Sequence, residues 1–367
     1  MEQEPKQRTG YRRPRLIDIA KRLNVTKVTV SKALRDHPDI SRETRALVKK
    51  VAAEMKYTPD LLARSLSARK TYTIGVVVPK VAHAFFASVI DAIQARATEA
   101  GYGILLAVSN ERASLEREHL ERLLAMRVDG LLVSVTKEPP DLEIYRRIHA
   151  MQVPLVFFDR RIPGLPFSSV TVTDRESAFA AVDHMIRRGY RRIAHIAGTP
   201  DVEIGRERRA GYEAALHAHG IPVREEWIIE GGFDECHGYR SFERLCRAGE
   251  LPEVIFTVTY PVGLGVYRAM LELDPELPER IQLLTFGSAG LNEFSGYRHY
   301  CVRQPTRELG ERAVELLLRQ MGAGEGWEVE HVALRTELIA PDDFSRYLRR
   351  VRCEQAAASD DGAREPS

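Results

Sequence analysis

Residues 16–34, LIDIAKRLNVTKVTVSKAL, restrict the chain more than any other stretch. Leu16, Ile19, Ala20 and Leu23 fall at i, i+3, i+4 and i+7, one apolar stripe of a helix. Val25, Val30, Ala33 and Leu34 carry the buried set onto a second helix. Between them Asn24 sits where the chain turns sharply, and asparagine tolerates the left-handed conformation better than most residues with a Cβ. Thr26 is placed to cap the second helix. The spacing therefore predicts a helix-turn-helix. Its outward residues are Lys27, Val28, Thr29, Ser31 and Lys32. Cations reach guanine or phosphate, hydroxyls bond phosphate or base edges, and a valine touches a thymine methyl. An amphipathic helical hairpin in an unrelated fold remains the alternative on this pattern alone.

Charge distribution points the same way. Residues 1–70 hold 18 Lys and Arg against 8 Asp and Glu, a net of +10. The rest of the 367-residue chain holds 36 against 44, a net of −8, so the overall +2 conceals a basic head on an acidic body. That asymmetry is the footprint of a nucleic-acid-binding module joined to another domain. Cys236, Cys246, Cys301 and Cys353 form no CxxC pair and no metal-ligand spacing, as expected of free thiols in a reducing compartment. His83, His184 and His195 likewise lack partners at ligand spacing. The start lacks the apolar stretch of a signal peptide, and no apolar run is long enough to span a bilayer. A cytoplasmic protein without membrane contact or cofactor is expected.

Along the chain, residues 1–15 read as a flexible basic arm and 16–59 as the helix-turn-helix domain. A third helix from about Glu43 to Met55, capped by Ser41, offers Leu47, Val48, Val51, Ala52 and Met55 to close a small core. Residues 60–71 form a hinge helix and linker. Asp60 can cap a helix with Leu62, Ala63 and Leu66 on one side, about two turns long and too short to persist alone. From Tyr72 the pattern becomes alternating strands and helices. Strands are expected at Thr73–Val78, Ile104–Val108, Gly130–Val135, Leu155–Phe158, Ser169–Val172, Ile193–Ala197, Val254–Val258 and Gln282–Phe286. Helical stretches such as Phe85–Ala100, Leu115–Ala125, Glu176–Arg188, Arg206–His219, Gly238–Ala248 and Val262–Leu273 lie between them. This alternation predicts parallel, doubly wound sheets. There are too many units for one core, so residues 72–348 are expected to form two lobes with a ligand cleft between them, and 349–367 a disordered tail.

Read in order, IDIAKRLNVTKVTVSKALRDHPDISRETR, YTPDLLARSLSARKTYTIGVVVP, VDGLLV, RRGYRRIAHIAG and RERRAGYEAAL resemble the LacI/GalR family of bacterial transcription regulators over nearly all of residues 14–345. The resemblance implies an all-α helix-turn-helix head and an α/β two-lobed, periplasmic-binding-protein-like sensor. It implies a homodimer on a pseudo-palindromic operator in double-stranded DNA, most simply a repressor, with a small-molecule effector in the cleft. By family, a sugar is the expected effector. Lys27, Val28 and Lys32 match the family's base-reading positions, and Thr29 and Ser31 positions on or beside the backbone. Residues 60–67 match its hinge helix, with Leu66 the leucine inserted into the minor groove and Ala63 on the same contact surface. In the sensor, Arg208 matches the effector-binding arginine, Asp159 a carboxylate that accepts bonds from effector hydroxyls, and Phe233 a stacking aromatic. Phe85 and Phe86 match the pocket edge, and Tyr260 a further pocket position. This chain departs from the pattern at two places: Thr259-Tyr260 stands where Asn-Asp is usual, and Gly287 where an acid is usual.

Two other classes remain to be weighed. A solute-binding protein without regulatory role would share the lobes, but the basic head and the missing signal peptide argue against it. An enzyme on the same scaffold would need a catalytic motif, and there is no GxSxG, P-loop, HExxH or GxGxxG opening a strand-to-helix turn.

Overall fold

The structure is a computed structural model that describes residues 14–57, 70–82, 84–247, 249–287, 299–324 and 326–343. Nearly all of the basic arm, the hinge helix with Ala63 and Leu66, His83, Cys353 and the tail lie outside the described residues. The chain divides into two compact units, Met1–Thr71 and Tyr72–Ser367.

In the first unit, α1 (Leu16–Leu23), α2 (Lys27–Leu34) and α3 (Arg42–Glu54) enclose Ile19, Ala20, Val30, Ala33, Val48, Val51 and Ala52. Asn24 ends α1 in the left-handed region, at φ 52° and ψ 42°. The Oγ1 of Thr26 accepts the Thr29 N–H at 3.0 Å and starts α2; Ser41 does the same for α3 through Thr44 at 3.2 Å. Leu47 does not join the core: it is 51% exposed. On α3 the buried stripe is Val48, Val51, Ala52 and Met55, spaced i, i+3, i+4 and i+7, and Leu47 falls one helical step off it.

The second unit holds two six-stranded sheets. Its elements in order are β1 (Thr73–Val78), α4 (Ala84–Glu99), β2 (Gly103–Val108), α5 (Ala113–Ala125), β3 (Gly130–Val133), α6 (Leu142–Ala150), β4 (Leu155–Phe158), β5 (Ser168–Val172) and α7 (Asp174–Arg187). Then follow β6 (Ile193–Ile196), α8 (Glu203–Ala218), β7 (Ile228–Ile229), α9 (Glu235–Arg247), β8 (Val254–Thr257), α10 (Tyr260–Leu273), the short α11 (Leu277–Arg280) and β9 (Gln282–Gly287). The last elements are β10 (Tyr300–Arg303), α12 (Thr306–Ala323), β11 (His331–Leu334) and β12 (Glu337–Ile339). Lobe 1 is ordered β11-β5-β4-β3-β1-β2 and lobe 2 β12-β10-β9-β8-β6-β7. Every pairing is parallel except β10 with β12.

Parallel strands are buried on both faces, so their sequences are continuously apolar and successive residues feed different cores. On β1, Val76 and Val78 pack under α4 and α12, while Val77 packs on the other face with residues of α5 and α6. In lobe 2, Ile255 joins α9 and α10 on one face, and Val254 and Phe256 join α7 and α8 on the other.

The chain passes between lobes three times: from β5 to α7, from β10 to α12, and from β11 to β12. These crossings are bonded to one another. The Thr173 N–H donates to the Leu334 carbonyl at 2.9 Å, and the Thr336 hydroxyl to Ser177 Oγ at 2.8 Å. The C-terminal ends of the strands in both sheets face the cleft, the usual ligand position in open α/β folds.

Candidate functional site

Two surfaces carry the chemistry. The first is the outward face of α2. Lys27 is exposed and Val28 is 64% exposed, with no role in the core. Thr29 is tied to the cap, its Oγ1 lying 2.9 Å from Thr26 Oγ1. Ser31 receives Arg35, whose Nη2 and Nε donate to its Oγ at 3.0 Å and its carbonyl at 3.2 Å. Lys32 donates to Asp39 Oδ2 at 2.7 Å. Arg35 and Asp39 are thus part of this face, although residue spacing alone did not mark them.

The second surface is the cleft. Arg208, on α8, is 1% exposed. Its Nε donates to Asp174 Oδ1 at 2.7 Å, its Nη1 donates to the Val258 carbonyl, and its Cζ lies 3.8 Å from the centre of the Phe286 ring. Asp174, at the start of α7, is buried with it; burial lifts its carboxyl to about 6, although the Arg208 charge pulls the other way. The arginine is therefore held rigid by an aromatic floor, a carboxylate and a carbonyl, with Nη2 making no hydrogen bond among the described residues.

Asp159 follows β4 directly and adopts φ 62°, a conformation side chains with a Cβ rarely take. It is 8% exposed and accepts from the Ser134 hydroxyl at 3.3 Å. Burial raises its carboxyl, opposed by the Arg160 and Arg208 charges. Arg160 is 4% exposed; its Nη1 donates to both oxygens of Glu111 at 3.1 Å, and its Cζ sits 4.6 Å above the Phe233 ring of lobe 2. Phe233 itself fills the space above Gly198, where a Cβ would lie only 2.3 Å from the ring. Beside it Arg161 forms a forked pair with Glu203 at the start of α8, at 2.8–3.1 Å, again joining the lobes. His237 bonds the Ala197 carbonyl at 3.1 Å, and burial lowers its pKa.

The structure thus brings Arg208, Asp159 and Phe233 into one neighbourhood. Phe86 is buried in the lobe 1 core, and Phe85 is half-buried against it at 5.1 Å between ring centres. Tyr260 packs its Cβ over Gly287, where a Cβ would come within 2.6 Å, and its ring lies 5.8 Å from His299. The two departures at 260 and 287 are therefore sterically coupled. Residue spacing missed Arg160, Arg161, Glu111, Asp174 and Glu203, because each finds its partner across the fold. The adjacent arginines after LVFFD were the one visible hint.

A pocket of about 390 Å³ lies at the opposite end of β6, lined among others by Arg192, His219, Arg224 and Trp227. Polar side chains in its lining are already engaged: His219 with Asp183 and Arg224 with Glu250, both at 2.7 Å. The cleft, with donors still unspent, is the better place for a ligand. Among the described residues no group of three or more His, Cys, Asp or Glu could hold a metal, and no helix is long and apolar enough to cross a membrane.

Residues 71–306 match a model of periplasmic binding proteins and the sugar binding domain of the LacI family, and residues 15–60 match one of bacterial regulatory proteins of the lacI family. The chain belongs to the LacI family. Among relatives in this family is the transcriptional repressor PurR of Erwinia tasmaniensis, 30% identical over 338 residues, 90% of this chain and 98% of that protein. Catabolite control protein A of Priestia megaterium is 29% identical over 310 residues, 83% of this chain and 92% of its own. Among solved structures, the regulator CelR in complex with cellobiose has 28% identity and a TM-score of 0.67, covering 89% of this chain and 99% of CelR. The lac repressor dimer bound to operator has a TM-score of 0.79 at 23% identity, covering 89% and 98%, and shares the fold.

Proposed function

We propose that this LacI-family chain is a sequence-specific transcriptional repressor whose operator affinity is set by a small molecule in the cleft between its lobes. The observation that carries the reading is Val28, an apolar side chain left 64% exposed between Lys27 and Lys32 on a helix whose core does not use it. A base methyl in the major groove is a fitting partner for such a side chain, and the flanking cations suit phosphate and guanine. In this reading Lys27, Val28 and Lys32 choose the sequence, Thr29 and Ser31 meet the backbone, and residues 60–71, with Ala63 and Leu66, form a hinge that docks in the minor groove.

Arg208, Asp159 and Phe233 bind the effector, with Phe85, Phe86 and Tyr260 at its margin. A carbohydrate is the favoured class, since a buried carboxylate and guanidinium serve hydroxyl groups, and the CelR relative is recorded with cellobiose. The protein acts by binding alone, in the cytoplasm, as a homodimer. The lobe 1 edge strand β2, with Leu105 and Leu106 exposed at 40% and 43%, supports a partner copy there. Lobe closure couples effector to DNA if two lobe arrangements hold the paired hinges at different separations.

The test is selection of duplexes from a random pool by the purified chain at physiological salt. Enrichment of a palindromic site is the expected result, and binding without preference over random DNA overturns the reading.

A further inference from the structure

The cleft holds more hydrogen-bond donors than its own acceptors consume. Among the described residues Arg160 Nε is buried and makes no hydrogen bond, its nearest acid being Asp159 Oδ2 at 3.8 Å, and Arg160 is only 4% exposed. Nη2 of Arg160 and Nη2 of Arg208 also make no hydrogen bond among the described residues. Both guanidiniums are fixed against lobe 2 aromatics, at 4.6 Å from Phe233 and 3.8 Å from Phe286, and both act on the Asp159 carboxyl between the lobes. A buried donor without a hydrogen bond is costly and two further donors beside it are unspent, so a cleft built this way favours a ligand that supplies acceptors.

The carboxylates do not cancel this surplus. Glu111 already serves the Arg160 Nη1 and the Lys137 N–H, at 3.1 and 2.8 Å. Asp174 is engaged by Arg208. Asp159 accepts one hydrogen bond among the described residues, from Ser134, and lies 3.8 Å from Arg160 Nε, so it retains accepting capacity for hydroxyls. At the positions where a second and third polar or acidic side chain could have met hydroxyls, this chain carries Tyr260 packed over Gly287. Thr259 is turned to the Phe233 carbonyl at 3.1 Å. At positions 259, 260 and 287 the lobe 2 wall thus carries no anionic side chain, and the lobe 2 acids near the cleft, Asp174 and Glu203, are each held by an arginine.

We propose that the effector is an acidic sugar, whose carboxylate or phosphate is received by the Arg160 and Arg208 guanidiniums while Asp159 holds its hydroxyls. Guanidinium is suited to this because its fork matches planar or tetrahedral oxyanions and gives charge-assisted bonds. Arg160 is then a specificity residue, selecting the acid over its neutral parent. The inference rests on the cleft being the effector site.

The test is calorimetric titration of the full chain with matched sets: glucose, glucuronate and glucose 6-phosphate; galactose, galacturonate and galactose 6-phosphate; fructose and fructose 1-phosphate. At least one acid should bind about tenfold or more tighter than its neutral parent, with affinity falling as salt rises. Whether a uronate or a phosphate wins identifies the oxyanion. Replacing Arg160 alone leaves Glu111 buried without its cation, so the decisive variant is the double Glu111→Gln/Arg160→Gln, checked for folding by circular dichroism. It should bring the acid-to-neutral affinity ratio towards one, and Arg160→Lys should lower that ratio by less. Neutral parents binding as tightly as the acids, no acid binding, or an unchanged ratio in the folded double variant each overturn the proposal. Site selection from random DNA is unaffected by any of these results, so failure here is distinct from failure of the repressor reading.

Discussion

The reading face of α2 and the cleft both depend on charged side chains, but they hold them under opposite conditions. On α2 Lys27 is exposed and Lys32 is paired with Asp39 at the surface, where ion pairs add little and are screened by salt. In the cleft Arg208 and Asp174 are almost completely buried, and the Arg208 charge opposes the burial that lifts the Asp174 carboxyl. The head can therefore change Val28 or Lys32 at little cost to folding. The sensor cannot change Arg208 or Asp174 without disturbing its own stability.

The strongest way to break this contrast is Arg208→Ala. It leaves Asp174 buried without a cation and should cost about 3–5 kcal/mol, read by urea unfolding of the sensor. A loss below about 1 kcal/mol would show the pair to be dispensable. Acid should come next. Burial lowers His195 to about 3, so the folded sensor excludes a proton that the unfolded chain takes up below its ordinary value. Stability from this group is complete above about pH 6.5 and lost as pH falls towards 3. At pH 4.5 the loss is roughly 2–3 kcal/mol, measured as the difference between the parent and His195→Phe. A smaller effect is expected from Val28→Ala: about 1 kcal/mol of discrimination at one base pair, with melting temperature unchanged. Smallest is Asp39→Asn, which frees Lys32 for phosphate and should steepen the salt dependence of binding to random DNA by up to about one unit of slope. An unchanged slope would mean that the pair does not restrain Lys32.

The same contrast explains what could be read from sequence. The helix-turn-helix was legible down to its caps, Asn24, Thr26 and Ser41, because local spacing and turn chemistry determine a short helical hairpin. The strands at Thr73–Val78 and Leu155–Phe158 were legible because a doubly buried strand is an apolar run. Beyond the family pattern, Arg160, Arg161 and Glu203 were not, since a side chain that bridges two lobes leaves no periodic mark. The helix Thr306–Ala323 and the strands His331–Leu334 and Glu337–Ile339 also escaped the pattern, as the β strands there are short and partly exposed.

The path of the chain between the lobes has one more consequence. The sheet of lobe 1 takes its edge strand from His331–Leu334, paired with Ser169–Val172, and one of its covering helices from Thr306–Ala323. On the ribosome, the head has its whole core in hand by Tyr57, whereas lobe 1 waits for residues synthesised after lobe 2 is nearly finished. A transcript cut short before that point would release a protein that still presents its DNA-reading helices in front of an unfinished sheet edge, open to pairing with another nascent chain.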